Sequence, residues 1–153
     1  MKYQLLIIPI SSPILVGLYE DGKLIDTISS QGKTSDVLPI IIDDILKEKS
    51  IDEVYFVNGP GSYMAIKVAY IFLKTFTQIK KIPFYACSGF ELNENSPIKA
   101  LGKKYFFQKE NKTIDMRFLE EDEILQEFKL PESIDKTLFS TDTLPNYQLP
   151  VVS

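Results

Sequence analysis

The segment whose residue types could do chemistry is a short turn, Gly59-Pro60-Gly61-Ser62, between an apolar run and a helix-like run. Free backbone N–H groups at a helix N-terminus, together with the helix dipole, can hold a phosphate group. Gly59, Gly61 and Ser62 are therefore candidate nucleotide contacts. The turn lacks the Gly-Lys-Ser/Thr ending of the Walker sequence, and Pro60 removes one donor. These departures favour a structural turn that lets strand and helix pack closely, with the nucleotide contact as the alternative.

The residue types that the chain lacks exclude several kinds of catalysis. Without histidine there can be no Ser-His-Asp triad, no Cys-His pair and no histidine-ligated zinc. The single cysteine, Cys87, excludes an intrachain disulfide and is interpreted as a small buried hydrophobe at a strand end. The acidic run at 120–123 is interpreted as a solvated connection, because nothing fixes its carboxylates into coordination geometry. We predict no catalytic residue, no metal and no cofactor.

The length and the charge of the chain limit the classes of function that it could have. The 153 residues, 44% of them hydrophobic, suit one globular domain with a small appendage. The net charge is −4 and no basic tract exceeds two lysines, so this chain alone has no electrostatic footprint for nucleic acid. The first apolar run is broken at Pro9, and no stretch approaches the ~20 apolar residues of a membrane span. We expect a soluble, cytoplasmic protein that makes no membrane contact.

Hydrophobic patterning predicts an α/β fold with a mixed five-stranded sheet. The predicted strands are 3–10, 14–19, 24–29, 53–57 and 82–87, and the predicted helices are 36–48 and 63–79. Short turns join the first three strands into an antiparallel meander, whereas a helix separates the last two, which should therefore be parallel. Helices are expected on the faces of the sheet.

The pattern changes after a polar linker at 93–97. We therefore divide the chain into a domain at 1–97 and a shortened C-terminal lobe at 98–153. In that lobe, 105–108 and 114–119 are predicted to form a hairpin, and 124–130 to add one more strand. The remainder, 131–153, is expected to pack as an irregular strap.

The helix at 63–79, with Ser62 as its predicted N-cap, is apolar nearly all the way round. Ala65 and Ala69, one turn apart, would let another element approach closely. The neighbouring stripe consists of Ile66, Tyr70 and Leu73. The sheet can cover only one side, and each large side chain left over would contribute roughly 1.5–3 kcal/mol if fully buried by a partner. The alternative is that helix 36–48 and the strap cover the whole helix.

Three segments within residues 3–92 carry a resemblance to a known family. The stretch from Asn58 to Tyr63 is close to a Gly-Pro-Gly-Ser-Phe signature, 34–39 is similar to a His-Ser-Glu-x-Leu-Pro helix start, and 82–91 is similar to an Ile-Pro-x-x-x-Val-Ser-Ser-Leu-Glu segment. In this order and spacing the chain resembles the TsaB (YeaZ-like) family, as a divergent and shortened member. These bacterial proteins are needed to make threonylcarbamoyladenosine in tRNA. The resemblance implies the actin-like ATPase, ribonuclease H-like fold with a reduced second lobe.

The resemblance implies that the chain is a non-catalytic scaffold, which binds and supports the catalytic subunit TsaD. The ATPase subunit TsaE is a further candidate partner, tRNA would be met only through the complex, and a homodimer is the alternative assembly. The implied interface lies on the two helices, with candidate residues Val37, Ile41, Ile45, Ala65, Ile66, Ala69, Tyr70 and Leu73.

The chain departs from the family after the first strand, where Asp-Thr-Ser is usual and Pro9-Ile10-Ser11-Ser12 stands instead. Without that carboxylate, and with prolines that cannot donate to a phosphate, we expect no ATP hydrolysis. The competing function is a small ATPase or kinase of the actin-like superfamily. A peptidase is excluded, since no histidine is present to ligate a metal.

Overall fold

A five-stranded mixed sheet forms the centre of the computed structural model, which describes residues 1–100 and 102–148. Its strands are β1 (Tyr3–Ile8), β2 (Ile14–Glu20), β3 (Lys23–Ser30), β4 (Glu53–Val57) and β5 (Phe84–Cys87). Their order is β3-β2-β1-β4-β5, with an antiparallel meander on one side and the parallel strands β1, β4 and β5 on the other. This confirms the predicted mixed sheet and the parallel pairing of the last two strands.

Both helices, α1 (Thr34–Leu46) and α2 (Tyr63–Lys80), pack on the same face of the sheet. The expectation of helices on both faces is therefore wrong. One core joins Leu38 of α1 and Leu73 of α2 to Leu5 of β1 and Phe56 of β4. Within the described ranges, neither helix has the length and apolar character that crossing a membrane requires.

The second face of the sheet is covered by an irregular segment, residues 124–148, which we call the strap. Apart from a 3₁₀ turn at Lys136–Leu138, its described part is irregular, so the strand predicted at 124–130 does not form. Leu130 and Phe139 of the strap pack against Tyr19 and Tyr55 of the sheet. The last residues of the predicted strap, 149–153, lie outside the described part of the chain.

Backbone hydrogen bonds tie the strap to both edges of the five-stranded sheet. At the β3 edge the Leu24 N–H donates to the Glu132 carbonyl at 2.9 Å. At the β5 edge Ala86 and Ser140 exchange two bonds, of 2.9 and 2.8 Å. The strap therefore crosses the sheet from edge to edge and satisfies polar groups that an open edge would leave free.

A small antiparallel sheet follows, formed by β6 (Ile98–Lys99), β7 (Lys104–Gln108) and β8 (Ile114–Phe118). It contains the predicted hairpin and adds β6, which the sequence pattern did not indicate. Phe106 of β7 is buried against Phe90 and Ile98, and Phe128 of the strap packs on this cluster. The predicted division at residue 97 stays a prediction.

The phenol of Tyr19 provides a test of the strap. Tyr19 is fully buried, and its hydroxyl donates to the Pro131 carbonyl at 2.7 Å. We expect Tyr19→Phe to lower the free energy of unfolding by about 1 kcal/mol in urea titrations, because one buried hydrogen bond is lost. Tyr105→Phe is the matched control, since the Tyr105 hydroxyl has no hydrogen-bond partner within residues 1–100 and 102–148. Equal stabilities of wild type and Tyr19→Phe would contradict the anchoring role.

A buried thiol and two buried phenols predict that the folded protein loses stability at high pH. Burial raises the pKa of the Cys87 thiol to about 12 and also raises the pKa of the Tyr19 and Tyr55 phenols. In the unfolded chain these groups lose protons near their ordinary values of about 8.5–10, whereas the folded chain retains them. The free energy of unfolding should therefore fall as pH rises from about 9 to about 12. Urea titrations at each pH should show a shallower fall for Tyr19→Phe, and identical slopes would contradict the prediction.

Candidate functional site

The glycine turn predicted to contact nucleotide is buried inside the fold. Gly59 has a φ of +118°, which favours glycine, and a Cβ there would collide with the Asn146 carbonyl oxygen of the strap. A Cβ on Gly61 would lie 2.5 Å from the nearest atom of Ile10. Both glycines therefore serve close packing, as the structural interpretation expected. The predicted nucleotide contact of their backbone N–H groups stays a prediction.

Ser62 differs from the two glycines because it is exposed. Its carbonyl accepts the first backbone hydrogen bond of α2, from the Ile66 N–H at 3.1 Å. Its hydroxyl makes no capping bond to the first turn, so the predicted side-chain cap is wrong. Ser62 remains accessible, and its nucleotide contact stays a prediction.

Four predicted interface residues lie in the core instead of on the surface. Ile66, Ala69 and Leu73 are fully buried, and Ile45 is nearly so. Ala69, Leu73 and Ile45 belong to the cluster between the helices and the sheet. The interface prediction is wrong for all four, because these side chains form the side of each helix that the sheet covers.

The other four predicted interface residues are half-buried, and their contact with a partner stays a prediction. They are Val37, Ile41, Ala65 and Tyr70. The Tyr70 ring packs towards Phe56 and Phe84, with ring centroids 6.3 and 6.4 Å apart, so most of its surface is already used within the chain.

The side of α2 that points away from the sheet carries several exposed apolar side chains, with the half-buried Val68 and Phe72 and the exposed Lys67 and Gln78 beside them. We call it the outer face of α2, and it consists of Met64, Val68, Ile71, Phe72, Thr75 and Ile79. Met64, Ile71 and Ile79 are 60%, 53% and 72% exposed. Large apolar side chains contiguous on one helix face are the usual mark of an interaction surface. The sequence analysis expected large apolar side chains to remain on the side that the sheet cannot cover, but it did not include these residues in the interface.

A hollow beside the outer face extends the apolar surface onto α1. It has a volume of about 460 Å³, and Phe72 and Phe76 of α2 face Pro39, Ile40 and Leu46 of α1 across it. Ile40 is 63% exposed at its rim. The two helices therefore share a mainly apolar hollow, which the exposed Asp43 carboxylate also lines.

The turn after β1 and the acidic run at 120–123 are the two polar regions that the sequence analysis considered for holding a metal or a phosphate. Within 1–100 and 102–148 no group of three cysteine, aspartate or glutamate side chains is placed to hold a metal. In the turn after β1, the Ser11 hydroxyl donates within its own turn, to the Ile8 and Pro13 carbonyls at 3.0 and 2.8 Å. In the acidic run, Glu123 pairs with Arg117 at 2.7 Å, and this hydrogen bond lowers the pKa of Glu123.

Substitution of Gly59 tests the assignment of the turn to packing. We expect Gly59→Ala to lower the free energy of unfolding by more than about 2 kcal/mol, because a positive φ and a collision with Asn146 act together. Gly102→Ala is the matched control, since Gly102 also has a positive φ but an added Cβ meets no atom within 4 Å among the residues that the structure describes. Both would be measured by urea titration, and equal losses would show that packing against the strap is unimportant.

Comparison with known proteins identifies similar folds. The chain is similar to YeaZ from Pseudomonas aeruginosa, with 15% identity over 99% of this chain and 70% of that one, at a TM-score of 0.59. It is also similar to an uncharacterised protein with similarity to peptidase YeaZ from Pseudomonas aeruginosa, with 14% identity, coverage of 81% and 70%, and a TM-score of 0.59. The sequence matches no protein-family model and no curated protein. The chain therefore has the α/β fold of YeaZ structures.

Proposed function

We propose that this chain is a TsaB-like, non-catalytic subunit that supports TsaD in making threonylcarbamoyladenosine in tRNA. The observation that carries the proposal is the exposed apolar outer face of α2 together with the hollow beside α1. A scaffold must offer its partner a surface that gains free energy when it is covered, and this face does so. The similarity in fold to YeaZ and the sequence motifs give the surface its proposed partner.

The exposed side chains are large enough to support association. Burial of a large apolar side chain contributes roughly 1.5–3 kcal/mol, and Ile40, Met64, Ile71 and Ile79 are all more than half exposed. Part of this gain is offset by the lost freedom of the two chains, so a few such residues are needed for a stable contact. A helix pair of the partner packed across α1 and α2 would cover all four at once.

The turn after β1 supports the non-catalytic part of the proposal. In an actin-like, ribonuclease H-like fold, to which we assign this chain, that turn would hold metal and phosphate through a carboxylate and backbone N–H groups. Here it contains Pro9, Pro13 and two serines. Proline has no N–H to donate, and serine carries no charge with which to hold a divalent cation. The chemistry is therefore assigned to the partner, with TsaE and tRNA meeting this subunit only inside a cytoplasmic complex.

The test replaces one exposed residue of the outer face. Ile71→Glu places a charge at the centre of the proposed interface, and we expect at least a tenfold loss of affinity for TsaD of the same organism, measured by isothermal titration calorimetry. Ala69→Arg is unsuitable, because Ala69 is fully buried and its replacement would disturb the core. Ile124→Glu is the matched control, since Ile124 is 82% exposed and lies far from the helices in the chain.

Further measurements distinguish TsaD from a second copy of the chain as the molecule that binds the outer face of α2. Analytical ultracentrifugation of the isolated protein shows whether Ile71→Glu abolishes self-association instead. Unchanged affinity of Ile71→Glu for TsaD, with a native circular dichroism spectrum, would mean that the interface lies elsewhere. Absence of binding between the wild-type chain and TsaD would overturn the proposed function itself.

A further inference from the structure

The small antiparallel sheet ends in a strand with one unpaired edge. β8 (Ile114–Phe118) pairs with β7 on one side, and no strand of the described residues lies on its other side. The Lys109 N–H donates to the Thr113 carbonyl at 2.8 Å, so the alternation of an antiparallel ladder also points the backbone groups of Asp115 and Arg117 towards β7. The outward backbone groups belong to the residues between them, Ile114, Met116 and Phe118. We call this outward side the free edge of β8.

The backbone groups of the free edge have almost no partner within residues 1–100 and 102–148. Beyond the ladder with β7, no backbone hydrogen bond there involves Ile114, Met116 or Phe118. Only the Phe118 carbonyl accepts a bond, from the Arg117 guanidinium at 3.0 Å, and a carbonyl oxygen can accept a second one. The edges of the five-stranded sheet differ, because the strap bonds to both of them. The free edge of β8 can therefore pair with a strand of another chain.

The charges on β8 complement a second copy of the same strand. Asp115 and Arg117 lie two residues apart, on the same face of the strand and on either side of Met116. When a second β8 runs antiparallel along the free edge, with the two Met116 residues opposite each other, Asp115 of each copy lies opposite Arg117 of the other. These are non-hydrogen-bonded positions, where opposite Cα atoms approach to about 4.5 Å and unlike charges stabilise the pair.

Other registers of two antiparallel β8 strands are less favourable. A shift of two residues places Asp115 opposite Asp115 of the other copy in one direction, and Arg117 opposite Arg117 in the other direction. Like charges directly opposite each other destabilise a strand pair. A shift of one residue sets outward N–H groups beside residues whose own backbone groups already bond to β7, so no ladder forms. The charges of β8 therefore favour the register centred on Met116.

The opposite face of β8 would extend an apolar cluster across the same pair. Ile114 and Met116 pack on the buried cluster that contains Phe106, whereas Phe118 is 60% exposed. In the register centred on Met116, Phe118 lies opposite Ile114 of the other copy. Pairing would therefore cover part of an aromatic ring that the described part of the chain leaves open to solvent.

The ion pairs within one chain are compatible with this pairing. Lys109 lies 2.7 Å from the Asp115 carboxylate, and Glu123 lies 2.7 Å from the Arg117 guanidinium. The Asp115 and Arg117 side chains nevertheless remain 52% and 47% exposed, so each has surface left for a second contact. Two copies would align the four side chains in alternating sign, from Lys109 through Asp115 of one copy to Arg117 and Glu123 of the other.

We propose that the free edge of β8 binds β8 of a second copy of this chain, so that two three-stranded sheets join into one antiparallel sheet. The contact has two-fold symmetry, and each copy supplies three N–H donors, three carbonyl acceptors and one residue of each charge. Neither α1 nor α2 takes part. The proposal is therefore independent of the proposed function and of the outer face of α2.

The experiment measures self-association of the purified protein by analytical ultracentrifugation over a range of concentrations. We expect a reversible dimer, and we expect Asp115→Arg and Arg117→Asp each to raise its dissociation constant by about tenfold, because each change sets like charges opposite each other. An equimolar mixture of these two variants should dimerise again, since every charge then meets its opposite. Asp26→Arg is the matched control, because it makes the same charge change on β3, where Asp26 is exposed.

Amide hydrogen exchange followed by NMR locates the contact. Exchange of the Met116 N–H should slow as the protein concentration rises, whereas the N–H groups of Asp115 and Arg117, already directed at β7, should change less. A monomer at every concentration up to about 1 mM would overturn the proposal. A dimer that Ile71→Glu abolishes, and that both single charge variants leave unchanged with native circular dichroism spectra, would overturn it as well. Neither result would bear on the binding of TsaD.

Discussion

The central sheet is apolar on both faces, and the rest of the fold is arranged around the need to cover it. Alternate residues of β1 send Leu5 and Ile7 to one face and Leu6 and Ile8 to the other, and all four are fully buried. A sheet with no wet face requires a covering layer on each side. The chain places both of its α-helices on the first face, so the second is covered by the strap, which is held by hydrogen bonds at the two sheet edges.

This arrangement explains why α2 is left with an uncovered apolar side. A helix packed on a sheet needs one apolar stripe, but α2 carries two, on opposite sides. Ala69 and Leu73 use the first stripe against the sheet, while Ile71 and Ile79 of the second stripe lie in the outermost layer. The described part of the strap reaches only the start of α2, where Tyr147 packs on Tyr63 with ring centroids 4.5 Å apart, and it leaves Ile71 and Ile79 exposed. Because both helices cover the same face of the sheet, the other side of α2 is left exposed, and the proposed scaffold function depends on that surface.

Much of the fold could be predicted because it is encoded locally. Apolar runs bounded by turns predicted the five strands, and the helix between β4 and β5 predicted their parallel pairing. The side of α2 that faces the sheet could not be predicted, because both stripes have helical spacing and both are apolar. The course of the strap was equally inaccessible, since contacts such as the bond from Tyr19 to Pro131 join residues 112 positions apart. Four interface residues were misplaced for the first reason.

The glycine turn shows that a motif typical of phosphate binding can also arise from the needs of packing. A turn of small residues before a helix allows a phosphate to approach the backbone, but it equally allows another segment of the same chain to do so. Here Asn146 of the strap and Ile10 take that space. The first N–H groups of α2 come from residues after Ser62 and have no intrahelical acceptor, as at any helix start. The two glycines are explained by close packing with the strap and with Ile10, without any ligand.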